Sequence, residues 1–286
     1  MWTADKWEDY KLIDTSNGEK LEKWGKYTLI RPDPQVIWES KKEHHAWKKA
    51  DASYKRIGGG GSWNINSLPP SWNIRYRDLV FKIAPSGFKH TGLFPEQAAN
   101  WDWFGDLIKN AGRPIKVLNL FAYTGAATMA AAKAGAAVVH VDSSKGMVQR
   151  AKENAQLSGL AEAPIRYIVD DCKKFVEREI RRQNKYDAVI MDPPSYGRGP
   201  NGEVWKLEDN IDSLVATVSQ ILSDNPLFFL LNSYTTGLSP LAMRYIVELR
   251  LPSENRIIEA QELGLVTEVG GHILPCGSSV RVTYQK

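Results

Sequence analysis

From Trp101 onward the apolar positions alternate between short continuous runs and stretches with helical spacing. The pattern predicts helix 101–111, strand 116–121, helix 126–134, strand 137–142, helix 144–158 and strand 165–169. It continues with helix 173–183, strand 186–191, helix 207–223, strand 227–231 and helix 239–249. The run Ala137-Val-Val-His-Val-Asp142 is mostly apolar, as a strand covered on both faces must be. Gly159 supplies a stop for the helix before it. Such alternation implies an α/β fold with a doubly wound, mostly parallel sheet. The tail departs from it. Arg256-Ile-Ile-Glu-Ala-Gln-Glu-Leu263 and Ser279-Val-Arg-Val-Thr-Tyr284 are two strands with no long helix between them, expected to pair antiparallel at one edge.

The first hundred residues have another texture. Nine of the ten tryptophans lie at or before Trp103. Short strands are expected at Tyr10-Lys-Leu-Ile13, Tyr27-Thr-Leu-Ile-Arg31 and Gln35-Val-Ile-Trp38. Asn17-Gly18 marks a turn, without a strict two-residue hairpin. The run Gly58-Gly-Gly-Gly-Ser62 resists regular structure and reads as a linker. Arg75 to Ile83 reads as one further strand. The expected division is a small β-rich domain over 1–62, a connecting segment over 63–100 and a main domain over 101–286.

Composition narrows the class. No apolar run approaches the roughly 18 to 20 residues a membrane span needs. The start, Met1 to Asp9, is mixed in charge and has no hydrophobic signal core, so a cytoplasmic protein without a membrane partner is expected. Cys172 and Cys276 offer neither a disulfide framework nor zinc spacing, and no metal is called for. A net charge of +4 is compatible with a nucleic-acid partner and does not demand one.

The chemistry gathers at predicted strand ends, where doubly wound sheets bind ligands. Val117-Leu-Asn-Leu-Phe-Ala-Tyr-Thr-Gly125 is a strand running into a glycine turn and a helix. Gly125 permits a tight turn and close backbone approach, and the next helix start offers N–H groups to an anionic ligand. Asp142 closes the second strand, where a carboxylate can accept from both ribose hydroxyls. Asp170 and Asp171 close the third: one can accept from an adenine amino group, the other caps the next helix. Tyr167, Ile168 and Cys172 could flank the ring. Asp192-Pro-Pro-Ser195 follows a fourth strand. Its two prolines stiffen the backbone and remove two N–H donors, leaving a carboxylate and carbonyls to hold an amino group. Tyr196 can stack on a planar base. A single glycine in Ala122-Tyr-Thr-Gly-Ala-Ala127 argues against a nicotinamide site, which usually shows G-x-G-x-x-G.

Residues 88–286 resemble class I S-adenosylmethionine-dependent methyltransferases, and within them the large-subunit ribosomal-RNA methyltransferase group with a small β-rich N-terminal domain. The resemblance is carried by Lys89-His-Thr-Gly-Leu-Phe-Pro-Glu-Gln97, Asn119-Leu-Phe-Ala-Tyr-Thr-Gly125, Asp142, Asp171 and Asp192-Pro-Pro-Ser195. It implies a Rossmann-like, seven-stranded sheet with the last strand antiparallel, S-adenosyl-L-methionine as cofactor and large-subunit ribosomal RNA as partner. The expected cofactor set is Phe94, Gln97, Asn119, Phe121, Ala122, Tyr123, Thr124, Gly125, Asp142, Ser143, Asp170, Asp171, Cys172 and Asp192. Asp192, Pro193, Pro194 and Ser195 are the expected catalytic residues, with Tyr196 and Arg198 on the substrate. Of these, Phe94 and Gln97 rest on the resemblance alone.

The chain departs from one pattern in that group. Cytosine-C5 enzymes carry a nucleophilic cysteine just after the fifth strand, because ring carbon accepts a methyl group only after a thiolate has added. Here that segment is Leu231-Asn-Ser-Tyr-Thr-Thr-Gly237. Transfer to nitrogen or oxygen is expected instead. The rivals are a methyltransferase for a protein or small molecule and a non-catalytic RNA scaffold. Two basic stretches stand outside this picture, Lys41 to Lys49 and Lys173 to Lys185, each readable as a solvated face. The glycine-rich segment 197–202 is expected to move over the acceptor.

Overall fold

The computed structural model describes residues 1–57, 60–86, 89–198 and 204–285. The chain forms two compact units, one of residues 1–99 and 263–276, the other of 100–262 and 277–286.

The first unit starts with β1 (Trp2–Thr3), then β2 (Tyr10–Ser16), β3 (Glu19–Trp24) and β4 (Tyr27–Pro32). Asn17 and Gly18 both take positive φ, and Ser16 pairs with Glu19, so this is a strict two-residue hairpin. The charged strand Glu19-Lys-Leu-Glu-Lys-Trp24 escaped the sequence reading, although its Leu21 and Trp24 are fully buried. Gln35 to Trp38 is not a strand. Pro32 and Pro34 interrupt the chain, and its carbonyls instead receive the N–H groups of Asn17 and Gly18.

Next come β5 (Ala52–Ile57) and β6 (Gly60–Ile65), completing a five-stranded sheet in the order β2-β3-β4-β5-β6. The glycine run is therefore not a linker from Gly60 onward; Gly58 and Gly59 lie outside the described residues. Backbone pairing needs no side chain, and Gly61 needs to lack one. A Cβ there would sit 2.4 Å from the Lys55 carbonyl and 2.6 Å from the Tyr54 ring. Residues 75–83 are not one strand but parts of a hairpin, β7 (Trp72–Tyr76) and β8 (Leu79–Ile83), turning at Arg77 with φ 51°. Trp7, Tyr10 and Trp24 pack edge to face in this unit's core. Beside them Glu22, fully buried, takes Arg31 in a two-point ion pair at 2.6 and 2.8 Å.

The second unit follows the predicted alternation. Its elements are α1 (Ala98–Lys109), β9 (Lys116–Leu120), α2 (Ala126–Lys133), β10 (Ala137–Asp142), α3 (Lys145–Leu157), β11 (Ile165–Val169), α4 (Cys172–Arg181) and β12 (Ala188–Met191). A small hairpin, β13 (Tyr196–Arg198) and β14 (Val204–Lys206), leads into α5 (Leu207–Ser219), β15 (Phe228–Ser233) and α6 (Pro240–Arg250). The chain closes with β16 (Arg256–Val266) and β17 (Ile273–Tyr284), whose tip belongs to the first unit. Seven strands run in the order β16-β17-β15-β12-β9-β10-β11, and β1 adds two residues beyond β16. β9, β10, β11, β12 and β15 are mutually parallel, while β17 runs antiparallel to β15. The tail strands thus do lie at one end of the sheet, with the last inserted against β15. All of β12 and β15 is buried. Leu118, Leu120, Val139 and Val141 meet Phe175 and Val176 of α4 on one face, in a core continuous with Leu214 and Val218 of α5.

Candidate active site

The carboxyl ends of β9, β10, β11 and β12 form one row. Leu120 is in register with Val141 and Met191, and Asp142 with Val169. Phe121, Asp142, Asp170 and Asp192 therefore all leave the sheet at the same edge.

The turn after β9 is strongly bent. Phe121, Tyr123 and Gly125 have φ of 55°, 50° and 83°. Left-handed backbone costs a non-glycine residue of order 1–3 kcal/mol, so neighbours must enforce it. Several do. The Phe121 N–H donates to Cys172 Sγ at 3.2 Å, and the Ala122 N–H to the Val141 carbonyl at 3.1 Å. The Tyr123 N–H donates to Asp142 Oδ2 at 2.8 Å. The buried amide of Asn154, on α3, donates to the Thr124 carbonyl at 2.9 Å. Gly125 is required twice over: for its φ, and because a Cβ would lie 2.6 Å from Met129 Cε and 2.8 Å from Ala151 Cβ.

Asp142 is half-buried. Its Oδ1 accepts the Ser144 N–H at 2.8 Å and its Oδ2 that of Tyr123. Each oxygen spends one lone pair on this and keeps another for a hydroxyl donor. Ser143 follows, exposed, and Ser144 caps α3 by accepting from the Met147 N–H. Asp171 is the cap of α4, accepting the Lys174 N–H at 2.9 Å through Oδ1. Asp170 is ion-paired with Arg178 and accepts the Asp171 N–H. Cys172 is buried, and burial pushes its thiol well above the ordinary cysteine range. It is a neutral anchor for the turn.

Asn119 goes elsewhere. It is 2% exposed, and its amide donates to Thr128 Oγ1 at 2.9 Å; that hydroxyl lies 2.9 Å from His140 Nδ1. Burial lowers the His140 pKa to about 3. The structure thus commits the Asn119 side chain to a network under α2 and does not bring it to the strand-end row. Phe94 and Gln97 bracket a short 3-10 turn in the first unit.

At the acceptor motif, Asp192 is half-buried and Pro193 buried. The carbonyls there are not all available. That of Pro194 receives the Trp205 indole N–H at 2.7 Å, and that of Ser195 the Leu207 N–H at 3.0 Å. Both donors come from β14 and the start of α5, so the hairpin braces the motif. Tyr196 is 52% exposed. Arg198 pairs by its backbone with Val204, and residues 199–202 of the segment expected to move lie outside the described residues. Beside this motif a buried polar set closes the end of β15. Asn232 Oδ1 accepts from Asn100 and Ser279, and Arg281 donates to Asn100 Oδ1 at 2.9 Å.

Sequence reasoning missed Asn154, Trp205 and this last set. Asn154 left a trace: it occupies a core position of α3, in step with Val148, Ala151 and Ala155.

Three comparisons bear on the site. Residues 54–207 match the family model of S-adenosylmethionine-dependent methyltransferases. Ribosomal RNA large subunit methyltransferase K/L of Shewanella frigidimarina is 33% identical over 147 residues, covering 51% of this chain and 20% of that protein. The chain thus spans about a fifth of that relative's length. The crystal structure of a SAM-dependent methyltransferase from Agrobacterium tumefaciens superposes with a TM-score of 0.92 at 36% identity, over 98% of this chain and 92% of that one.

Proposed function

Because the chain belongs to the S-adenosylmethionine-dependent methyltransferase family, we propose that it methylates a nitrogen of a large-subunit ribosomal-RNA base. The residues present fit the cofactor: a glycine turn with no side chain at its tightest point, and a strand-end carboxylate with lone pairs to spare. When bound, the cofactor supplies a methyl group on a sulfonium. The turn 121–125 would cradle it, Asp142 would take the ribose hydroxyls, and Asp171, whose Oδ1 alone serves the helix cap, would accept from the adenine amino group through Oδ2.

Asp192 holds the acceptor amino group by one N–H, fixing the nitrogen lone pair, and takes up the proton released after transfer. Such alignment supplies much of the rate for a displacement at an sp³ methyl. The observation that carries the nitrogen reading is the state of the two cysteines. Cys172 is buried and Cys276 half-buried, the surroundings of each raise its thiol above the ordinary cysteine range, and neither follows the fifth strand. Carbon methylation would need a thiolate. The RNA reading is supported by the relative named for large-subunit ribosomal RNA, and a cytoplasmic location is part of the same proposal. No described helix is long and apolar enough to cross a membrane.

The test is transfer of a tritiated methyl group to ribosomal RNA, followed by mass spectrometry of the modified nucleoside. A methylated exocyclic or ring nitrogen is expected. A 5-methyl pyrimidine, with a covalent RNA adduct lost in Cys276→Ala, would refute the nitrogen reading.

A further inference from the structure

Helix α4 buries Cys172, Phe175, Val176 and Glu179. Its opposite face carries Lys173, Lys174, Glu177, Arg178 and Arg181. Arg178 is engaged by Asp170. Lys173, Lys174 and Arg181 are exposed, and among the described residues no carboxylate pairs with them. Beyond the helix come the exposed Arg182, then Gln183, which turns the chain with φ 56°, and the exposed Lys185, whose ammonium donates to the Gln220 carbonyl at 2.7 Å. Of the two acids of α4, Glu177 lies on the outer face, and Glu179 is buried and accepts from Tyr186, Asn184 and Arg182.

The cationic strip does not stop there. Lys116 Nζ lies 4.4 Å from the centroid of the Tyr186 ring, and the same tyrosine feels the charges of Arg166 and Arg182. Next to them, at the amino ends of β9, β10 and β11, is an open cavity of about 370 Å³. Ile115, Val139 and Pro164 form apolar wall, with Lys116 and Arg166 among the lining. Asp187 also lines it, but its oxygens already serve Arg113 at 2.7 Å, the Lys116 N–H at 2.9 Å and Ser223 at 3.1 Å. The result is a row of cations ending at an apolar recess, in which Lys173, Lys174 and Arg181 have no carboxylate partner among the described residues. That is the complement of a chain of evenly spaced anions carrying flat apolar groups.

Resting on the RNA reading above, we propose that the outer face of α4 and the recess at its carboxyl end bind the acceptor RNA, phosphates along Lys173, Lys174 and Arg181 and a nucleotide at Lys116 and Arg166. This surface lies outside the strand-end row that performs transfer. It contributes affinity and register, not chemistry.

The experiment measures binding of large-subunit ribosomal RNA between about 50 and 200 mM salt, where each phosphate contact to a single strand contributes about 0.7 to the slope of log K against log salt. Lys174→Gln with Arg181→Gln is expected to weaken binding roughly tenfold and to flatten that slope by about 1.4. KM for RNA should rise while kcat and calorimetric affinity for S-adenosylhomocysteine stay at parent values. Glu177→Lys should tighten binding, a gain that misfolding cannot imitate. Lys109→Gln with Lys133→Gln removes the same net charge elsewhere and should change little. Parent-like affinity and slope in the α4 double variant, or equal weakening in the control pair, overturns this surface and leaves the RNA reading standing. A parent that neither binds nor methylates RNA overturns that reading and this surface with it.

Discussion

Two turns leave the same edge of the same sheet, and they are held in opposite ways. The turn 121–125 has three residues at positive φ and is fastened from Val141, Asp142, Asn154 and Cys172, on the three elements β10, α3 and α4. The turn 192–195 has no residue at positive φ. Two prolines stiffen it, and its carbonyl contacts at Pro194 and Ser195 come from the chain just downstream, at Trp205 and Leu207. A turn pinned by the core can hold one fixed ligand to within a fraction of an ångström. A turn braced by its own hairpin can be re-aimed by changing that hairpin without disturbing the sheet. The first suits a cofactor that never changes, the second an acceptor that differs from enzyme to enzyme.

The sharpest way to break this comparison is to remove one carboxylate from each turn's neighbourhood. Asp192→Ala should lower the transfer rate by about 10²–10³, the range for losing one group that acts in the transition state. Calorimetry should find its affinity for S-adenosylhomocysteine near that of the parent. Asp142→Ala should do the reverse. Losing charge-assisted bonds to hydroxyls, each worth about 1.5–3 kcal/mol, weakens cofactor binding at least about tenfold, with turnover largely restored at saturation. If both variants lost cofactor affinity equally, the two turns would be one functional unit and the division drawn between them would be wrong. Gly125→Ala tests the pinned turn by itself. Its Cβ would press on Met129 and Ala151 at 2.6 and 2.8 Å in a left-handed backbone, costing about 1–3 kcal/mol of stability by chemical denaturation.

Much of this was legible before any coordinates. β10 matches its expected span residue for residue, because a continuous apolar run between Gly135 and Ser143 leaves little choice of ends. The strand-end positions of Asp142, Asp171 and Asp192 follow from the same logic. What could not be read depends on partners distant in sequence. Asn154 looks like any polar residue on a helix until the Thr124 carbonyl is placed against it. Asn119, beside the glycine motif in sequence, turns inward because alternation in β9 puts it on the face opposite Leu118 and Leu120, toward Thr128. The β13–β14 hairpin is three residues a side with a glycine in one strand, below what periodicity can resolve. The strand Gly60–Ile65 was hidden for a different reason: Gly61 is there for clearance under Tyr54, not for looseness.

The network beneath the pinned turn gives it a pH dependence. His140 titrates near 6.5 in the unfolded chain and at about 3 when folded, because burial disfavours the imidazolium. Between those values the unfolded state holds a proton that the folded state lacks. Stability therefore falls as pH is lowered through this window, by about 1.4 kcal/mol per pH unit for one proton. His90, lowered to about 4 by burial in the first unit, adds to the same trend. Denaturation curves between pH 6 and 4 should show a shallower slope for His140→Phe than for the parent, whatever the variant's stability at neutral pH. An unchanged slope would mean that His140 charges without unfolding, and that the floor under the turn is wetter than its burial indicates.

The smallest effect expected is the most specific to the braced turn. Trp205→Phe keeps a ring against β13 and removes one hydrogen bond, the 2.7 Å contact to the Pro194 carbonyl. The bond is worth about 0.5–1.5 kcal/mol, and the freed carbonyl can turn to water, so stability should barely move. What should move is placement. With Pro194 no longer tied to β14, Asp192 keeps its position at the end of β12 but loses the wall that fixes the acceptor beside it. KM for the acceptor should rise a few-fold and turnover fall by a similar factor, while cofactor affinity, set by Asp142 and the turn at Gly125, stays constant. A change in cofactor affinity with normal acceptor kinetics would show that the hairpin serves the pinned turn after all.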